Sequence, residues 1–298
     1  MISFLIPTYN YDCTELVSEL SKQARALSVA DSGFSFEIIV ADDGSRQEER
    51  EALRAGLQNV SGCQLVELPT NVGRARGLNF LIGQASFPNI VIIDSDALVC
   101  TPDFVGCYWE HCGRADVVCG SLRNPSGGGQ PGCELRMRYE RAMEQRRTAA
   151  YRNAHPYSCF TTFNVMFRKS VLETVRFDER CTEYGYEDTL LGLMLEKNGF
   201  SVLHIDNPLV HNGIDTNKSF LGKTEAAMRT LSRLGEPIQS EAGASRLCKR
   251  LARLHLLGLL RTAFLRLRTP LRRQLLGPRP NLLLFNIYKA GYYSTLIK

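Results

Sequence analysis

No run in the 298-residue sequence stays apolar for the roughly 18 residues that a membrane-spanning helix needs. The opening, Met1 to Pro7, has neither a charged leader nor a long apolar segment, so no secretory signal is read and a cytoplasmic address is expected. The ten cysteines include no C-x-x-C pair, and several sit inside apolar stretches; they read as reduced core residues rather than as a disulfide framework or zinc site. No internal repeat is present. The most informative absence is local, because residues 242–298 contain twelve Lys and Arg but no Asp or Glu. Of the 36 basic and 31 acidic residues in the chain, 24 and 31 therefore fall in residues 1–241, a net charge of −7 that the overall +5 conceals. The tail is a separate electrostatic object.

What is present suffices for one large α/β domain or two smaller ones, since 44% of the residues are hydrophobic. Over the first hundred residues, short β-rich runs (Ser3–Ile6, Phe36–Ala41, Gln64–Leu68, Ile90–Ile93) alternate with helical ones (Thr14–Val29, Gln47–Leu57, Arg74–Ala85). That order predicts a mostly parallel sheet with helices on both faces. Asp12 and Glu15 resemble a capping box at the first helix. A strand over Asp116–Gly120, a Gly-rich loop over Pro125–Gly132 and a helical stretch over Glu134–Tyr151 are expected next. Phe160–Phe167, the helical Thr189–Lys197 and Ser201–Ile205 complete the second half.

In open parallel sheets, ligands bind beyond the carboxyl ends of the strands. Three of these strand ends are polar: Pro7-Thr8-Tyr9-Asn10, Asp42-Asp43-Gly44-Ser45 and Asp94-Ser95-Asp96. Each alone has a plain reading, a common turn or a pair of solvated acids, but all three at one sheet edge point to a site. Asp94 and Asp96, one residue apart, suit a hard divalent cation such as manganese or magnesium that shares its oxygen ligands with a diphosphate. Asp43 can accept a hydrogen bond from a nucleotide base. Arg74 and Arg76, opening a helix, either reach the same nucleotide or its phosphates or lie on an exposed helix face.

These residues resemble the inverting glycosyltransferases of family 2, which have the GT-A fold. The resemblance covers roughly residues 1 to 215 and is carried by Ile6–Asn10, Asp42–Ser45, Asn71-Val72-Gly73-Arg74, Asp94–Asp96, Asn164–Arg168, Phe177-Asp178-Glu179 and Tyr184–Asp188. It implies that Pro7, Tyr9, Asp43 and Arg76 line a nucleotide pocket, that Asp94 with Ser95 meets the ribose, and that Asp94 and Asp96 hold the metal. Around Gly77-Leu78-Asn79 the sequence departs from the usual Arg-Asn order of the family. Glu187-Asp188 opens a helix, where capping alone accounts for one acid. The resemblance makes Asp188 the general base, with Glu187 beside it to bind acceptor. It also makes His211, which follows a predicted strand, a third metal ligand, although a lone His is more often a core or surface residue. The implied domains are a GT-A catalytic domain over 1–241 and a basic helical tail over 242–298. The implied reaction moves a sugar from a nucleotide-sugar donor, a UDP-sugar first among them, to a hydroxyl of a glycan or lipid-linked acceptor, in surface polysaccharide or glycoconjugate synthesis.

In the tail, Leu247, Leu251 and Leu254 fall on one helical face and Arg246, Lys249, Arg250 and Arg253 on the other, with Pro270 expected to end the helical run that follows. Such a helix suits an anionic membrane surface, and hence a peripheral position on its inner face. The competing reading packs these helices against protein. Removing residues 242–298 is expected to leave the nucleotide pocket formed. Two other function classes fit less well. A nucleotidyltransferase would carry a Gly-rich loop with a basic residue where Pro7–Asn10 stands, and a nucleic-acid binder would interleave aromatics among the tail's arginines, where none occurs near them until Tyr288 apart from Phe264 and Phe285. No nucleic-acid partner is therefore expected.

Overall fold

The alternation expected over the first hundred residues is present in the computed structural model, which describes residues 1–125, 131–179 and 184–297. Strand β1 (Ile2–Thr8) leads to α1 (Thr14–Ala30), β2 (Phe36–Asp42) to α2 (Gln47–Leu57) and β3 (Cys63–Glu67) to α3 (Arg74–Gln84), after which comes β4 (Asn89–Ile93). The chain continues through β5 (Ala97–Val99), α4 (Phe104–Glu110), β6 (Val117–Arg123), α5 (Glu134–Met143), a 3-10 turn at Glu144–Arg147 and α6 (Ala149–Ala154). Then follow β7 (Asn164–Arg168), α7 (Lys169–Thr174), α8 (Glu187–Lys197) and β8 (Val202–His211). The rest is helical: α9 (Asn217–Arg233), α10 (Ile238–Glu241), α11 (Gly243–Arg253), α12 (Leu257–Leu276) and α13 (Leu282–Ser294).

All eight strands form one sheet in the order β3-β2-β1-β4-β7-β6-β8-β5. The first four run parallel, as the sequence predicts, whereas β7 is antiparallel to both β4 and β6, and β5 is antiparallel to β8. Successive residues of a strand point to opposite faces, and the apolar runs use both. Ile2, Phe4, Ile6, Ile38, Val40, Val91 and Ile93 pack with α1, α2 and α4 on one side. Leu5, Ile39, Ala41, Ile90 and Ile92 pack with α3, α7 and α8 on the other. The fold is thus α/β with helices on both faces of a sheet whose first half is parallel and whose second half is mixed.

The described residues divide into two compact units, one holding 1–125, 145–179 and 188–213 with the whole sheet, the other 131–144, 184–187 and 214–297. This division differs from a cut at residue 241. In the second unit, Phe264, Leu275, Phe285 and Tyr288 of the tail share a core with Leu135 of α5 and Phe220 and Leu221 of α9. The basic segment is therefore helical, as expected, but it is built into a core rather than appended to one.

Two local expectations are corrected. Helix α1 has no capping box; Asp12 Oδ1 instead accepts from the backbone N–H and hydroxyl of Thr14 at 2.9 and 2.6 Å. Pro270 does not end its helix but lies inside α12. The segment from Phe160 is irregular until β7 begins at Asn164. Most of the Gly-rich loop, residues 126–130, and Cys181 lie outside the described residues, and the nine described cysteines are all free. Among the described residues no helix is long and apolar enough to cross a membrane.

Candidate active site

Because β1, β2 and β4 are parallel neighbours, the segments leaving their carboxyl ends emerge at one sheet edge. Strand β7 enters from the opposite direction, so the residues just before Asn164 arrive at that same edge, with Asn164 paired to Ile93. The edge thus collects Pro7–Asn10, Asp42–Ser45, Asp94–Asp96 and the Thr161–Phe163 segment.

Asp42 and Asp43 divide their labour. Asp42 is fully buried and accepts from Arg50 Nε at 2.8 Å and from the Ser45 backbone N–H, which fixes the turn. Asp43 accepts from the backbone N–H groups of Val72 (2.7 Å) and Gly73 (3.0 Å), tying the end of β2 to the start of α3. Burial pushes the Asp43 carboxyl above its usual range, against the pull of those two N–H bonds. Gly44, the next residue, has φ +73°, and a Cβ there would lie 2.4 Å from the backbone of Thr70 and Asn71, so glycine is required. Tyr9 stands half-exposed beside the part-buried Pro7.

Asp94 and Asp96 are both part-buried, and each has a different partner. Arg74 Nη2 donates to Asp94 Oδ1 at 2.5 Å and to the Thr162 hydroxyl at 2.9 Å. Burial raises the Asp94 carboxyl despite Arg74, and the negative charges of Asp96 and Asp188 push the same way. Asp96 Oδ2 lies 3.1 Å from His211 Nε2. The Asn212 backbone N–H donates to the Asp96 carbonyl at 2.8 Å, and β5 pairs with β8 so that Ala97 faces His211. Gly213 supplies room: a Cβ there would come within 2.5 Å of Asp96 Oδ2.

The donor set at Asp96 and His211, a carboxylate oxygen and an imidazole nitrogen 3.1 Å apart, is of the type that a divalent cation takes. Asp94 is engaged by Arg74 instead of converging on that pair. Among the described residues no three His, Cys, Asp or Glu side chains gather closely enough to hold a metal unaided, so such an ion draws on water or phosphate oxygens as well.

Asp188, at the start of α8, is held by two hydroxyls. Thr161 donates to its Oδ2 at 3.0 Å and Thr162 to its Oδ1 at 2.5 Å. These threonines were not singled out in the sequence, because neither belongs to a polar strand end or to a cluster of acids. Glu187 accepts from the Gly185 backbone N–H at 2.9 Å, within its own turn. Arg76 is largely exposed and pairs with Glu179 at 3.2 Å; Asn79 also donates to Glu179. The structure thus brings Asp43, Asp94, Asp96, Asp188 and His211 to the sheet edge with close partners, and gives Arg76 a surface ion pair.

The sequence profile of Glycosyl transferase family 2 matches residues 3–176. An N-acetylglucosaminyltransferase of Rhizobium meliloti (strain 1021) is 27% identical over 234 residues, 74% of this chain and 53% of the relative. The chain therefore spans about half the length of that relative. Among solved structures, the mannosyltransferase PcManGT from Pyrobaculum calidifontis, in complex with GDP-Man and Mn2+, aligns with a TM-score of 0.56 at 15% identity, over 99% of this chain and 85% of that one. Glucosyl-3-phosphoglycerate synthase from Mycobacterium tuberculosis, in complex with Mn2+, UDP and glucosyl-3-phosphoglycerate, aligns at 0.51 and 18% identity over 78% of each chain. The fold is that of the GT-A glycosyltransferases, and with more than half of its length matched by the family profile, the chain belongs to glycosyl transferase family 2.

Proposed function

We propose that this protein is an inverting glycosyltransferase that moves a sugar from a nucleotide-diphosphate donor, a UDP-sugar first among them, to a hydroxyl of a glycan or lipid-linked acceptor. The process it serves in this reading is surface polysaccharide or glycoconjugate synthesis. The observation that carries the reading is the convergence of Asp43, Asp94 and Asp96 at one sheet edge with Asp188, which is joined to Asp94 through Thr162 and Arg74.

In this reading Asp43 accepts from the donor's base, Pro7 and Tyr9 flank it, Arg76 closes the pocket, and Asp94 with Ser95 meets the ribose. Asp96 and His211, with Asp94 alongside, would hold manganese or magnesium, which would supply positive charge to offset the negative charge of a departing diphosphate. Asp188 takes the acceptor hydroxyl's proton while that oxygen forms the new bond to the anomeric carbon from the side opposite the diphosphate. The old carbon–oxygen bond breaks with its electron pair going to the diphosphate, which inverts the sugar. Glu187 positions the acceptor.

A second part concerns the tail. The face of α11 that turns inward carries Ser245 and Cys248, leaving Leu247 and Leu254 exposed at 43% and 65%. Along α12, Leu259, Arg266 and Arg273 recur every seven residues, hence on one side of the helix, and all are exposed. Exposed leucines among arginines support docking on an anionic membrane surface, as a peripheral protein on its cytoplasmic face. No nucleic-acid partner is proposed.

The test of the donor and metal assignment is a thermal-shift screen of UDP- and GDP-sugars with and without manganese. A donor at about 100 times its Kd stabilises by about 2.7 kcal/mol, which appears as several degrees. The expected hit requires manganese and is lost in Asp96→Ala. Tight UDP binding without metal, unchanged in Asp96→Ala, overturns the assignment.

A further inference from the structure

Thr162 is fully buried, yet it has no part in the reaction as described so far. Its hydroxyl has one proton and two lone pairs, and its neighbours dictate how both are used. Arg74 can only donate, so at 2.9 Å the hydroxyl oxygen accepts from it. A carboxylate can only accept, so the single hydroxyl proton goes to Asp188 Oδ1 at 2.5 Å. The chain therefore has one direction, from guanidinium to hydroxyl to carboxylate. Hydrogen bonds arranged head to tail polarise one another, and a cation at the head strengthens the bond at the far end. The same Arg74 nitrogen also donates to Asp94, on the donor side of the site.

We propose that Thr162 is the positioning residue for Asp188, locking one oxygen of that carboxylate through a bond polarised by Arg74 and so fixing where the base stands relative to the Asp94 end of the site. The proposal rests on the reading of Asp188 as the base. Thr161 holds the second oxygen, and together the two hydroxyls leave the carboxylate one orientation, with a lone pair on each oxygen still available for an acceptor hydroxyl. A base fixed in this way meets its proton at hydrogen-bond reach without first having to rotate.

The test compares Thr162→Val, which keeps the shape and removes the hydroxyl, with Thr162→Ser, which keeps the hydroxyl, and with Asp188→Asn. The probes are UDP-N-acetylglucosamine, UDP-glucose and GDP-mannose with manganese, read as nucleoside diphosphate released. Thr162→Val should lower kcat by roughly tenfold or more with donor KM nearly unchanged, and Thr162→Ser should recover to within about threefold of the parent. A crystal structure of Thr162→Val, which needs no donor, should show the Asp188 carboxylate turned from its parent position. An unmoved carboxylate, or a Thr162→Val variant with parental kcat beside an inactive Asp188→Asn, overturns the proposal alone. Parental turnover in Asp188→Asn overturns the assignment of the base itself.

Discussion

His204 is a titratable side chain held in one protonation state by its surroundings. Arg152 Nη1 donates to its Nδ1 at 3.0 Å, which leaves the proton on Nε2 to bond the Pro156 carbonyl at 2.9 Å. Burial, together with the Arg152 charge and against the Pro156 bond, lowers its pKa to about 4 from an ordinary 6.5. Between those values the unfolded chain binds a proton that the folded one refuses. The stability gained from neutral His204 is thus complete above about pH 6.5 and is lost as the pH falls toward about 4, at most about 3 kcal/mol in all. Urea midpoints measured across that window should fall more steeply for the parent than for His204→Gln; equal slopes refute the assignment. For chemistry, Asp188→Asn should cut turnover roughly a hundredfold while donor and metal binding hold, because an amide cannot take the proton. Glu187→Gln should weaken acceptor use more than turnover. Asp43, Asp94 and Asp96 were legible because each follows a predicted strand, whereas Asp188 was singled out only by the family resemblance, since helix capping explains an acid there equally well. Thr161 and Thr162 were not legible, since the role of a neutral hydroxyl is set by its partner, and Asp188 lies 26 residues or more along the chain.

The pairing of β6 with β8 slips between Cys119 and Ser121, and one buried amide bonds both strands at that point. Asn164, at the start of β7, donates to the carbonyls of Ser121 and Asn207 and accepts from the Tyr108 hydroxyl at 2.6 Å. Gly120 makes room for it: a Cβ there would stand 2.3 Å from Asn164 Nδ2 and 2.7 Å from the Asn207 carbonyl oxygen. Gly120→Ala should therefore cost about 1–3 kcal/mol or more by chemical denaturation, since backbone on one side cannot give way. A variant within experimental error of the parent would show that the slip is not packed as described. Strands β1 to β4 and helices α1 to α3 were readable to within a residue or two, because parallel strands buried on both faces are continuous apolar runs with polar ends. The short β5 and the reversal at β7 were not readable. Three residues have no period, and strand direction depends on partners far along the chain.

Across the whole molecule, charge was the most readable property and packing the least. Counting residues isolates the basic segment 242–298, but only the structure shows Phe264, Leu275, Phe285 and Tyr288 in a shared core. Cutting at residue 241 would uncover Phe220 and Leu221, so the surface is better tested by substitution in the full chain. Arg266→Gln with Arg273→Gln should weaken binding to vesicles containing phosphatidylglycerol by roughly thirtyfold, at about 1 kcal/mol per arginine, with the melting midpoint unchanged. Binding that ignores both substitutions and added salt would remove the arginines from the interface.

The pairing of β5 with β8 also sets an order of events during synthesis. Asp96 leads directly into β5, whose only strand partner among the described residues is completed about a hundred residues later, at His211. On a ribosome adding roughly 5–20 residues per second, the first four strands and their helices can assemble for several seconds before that partner exists. The edge with Asp43 and Asp94 is thus available to a nascent chain that still lacks both His211 and Asp188. In the proposed reading, sugar transfer becomes possible only after β8 has been laid down.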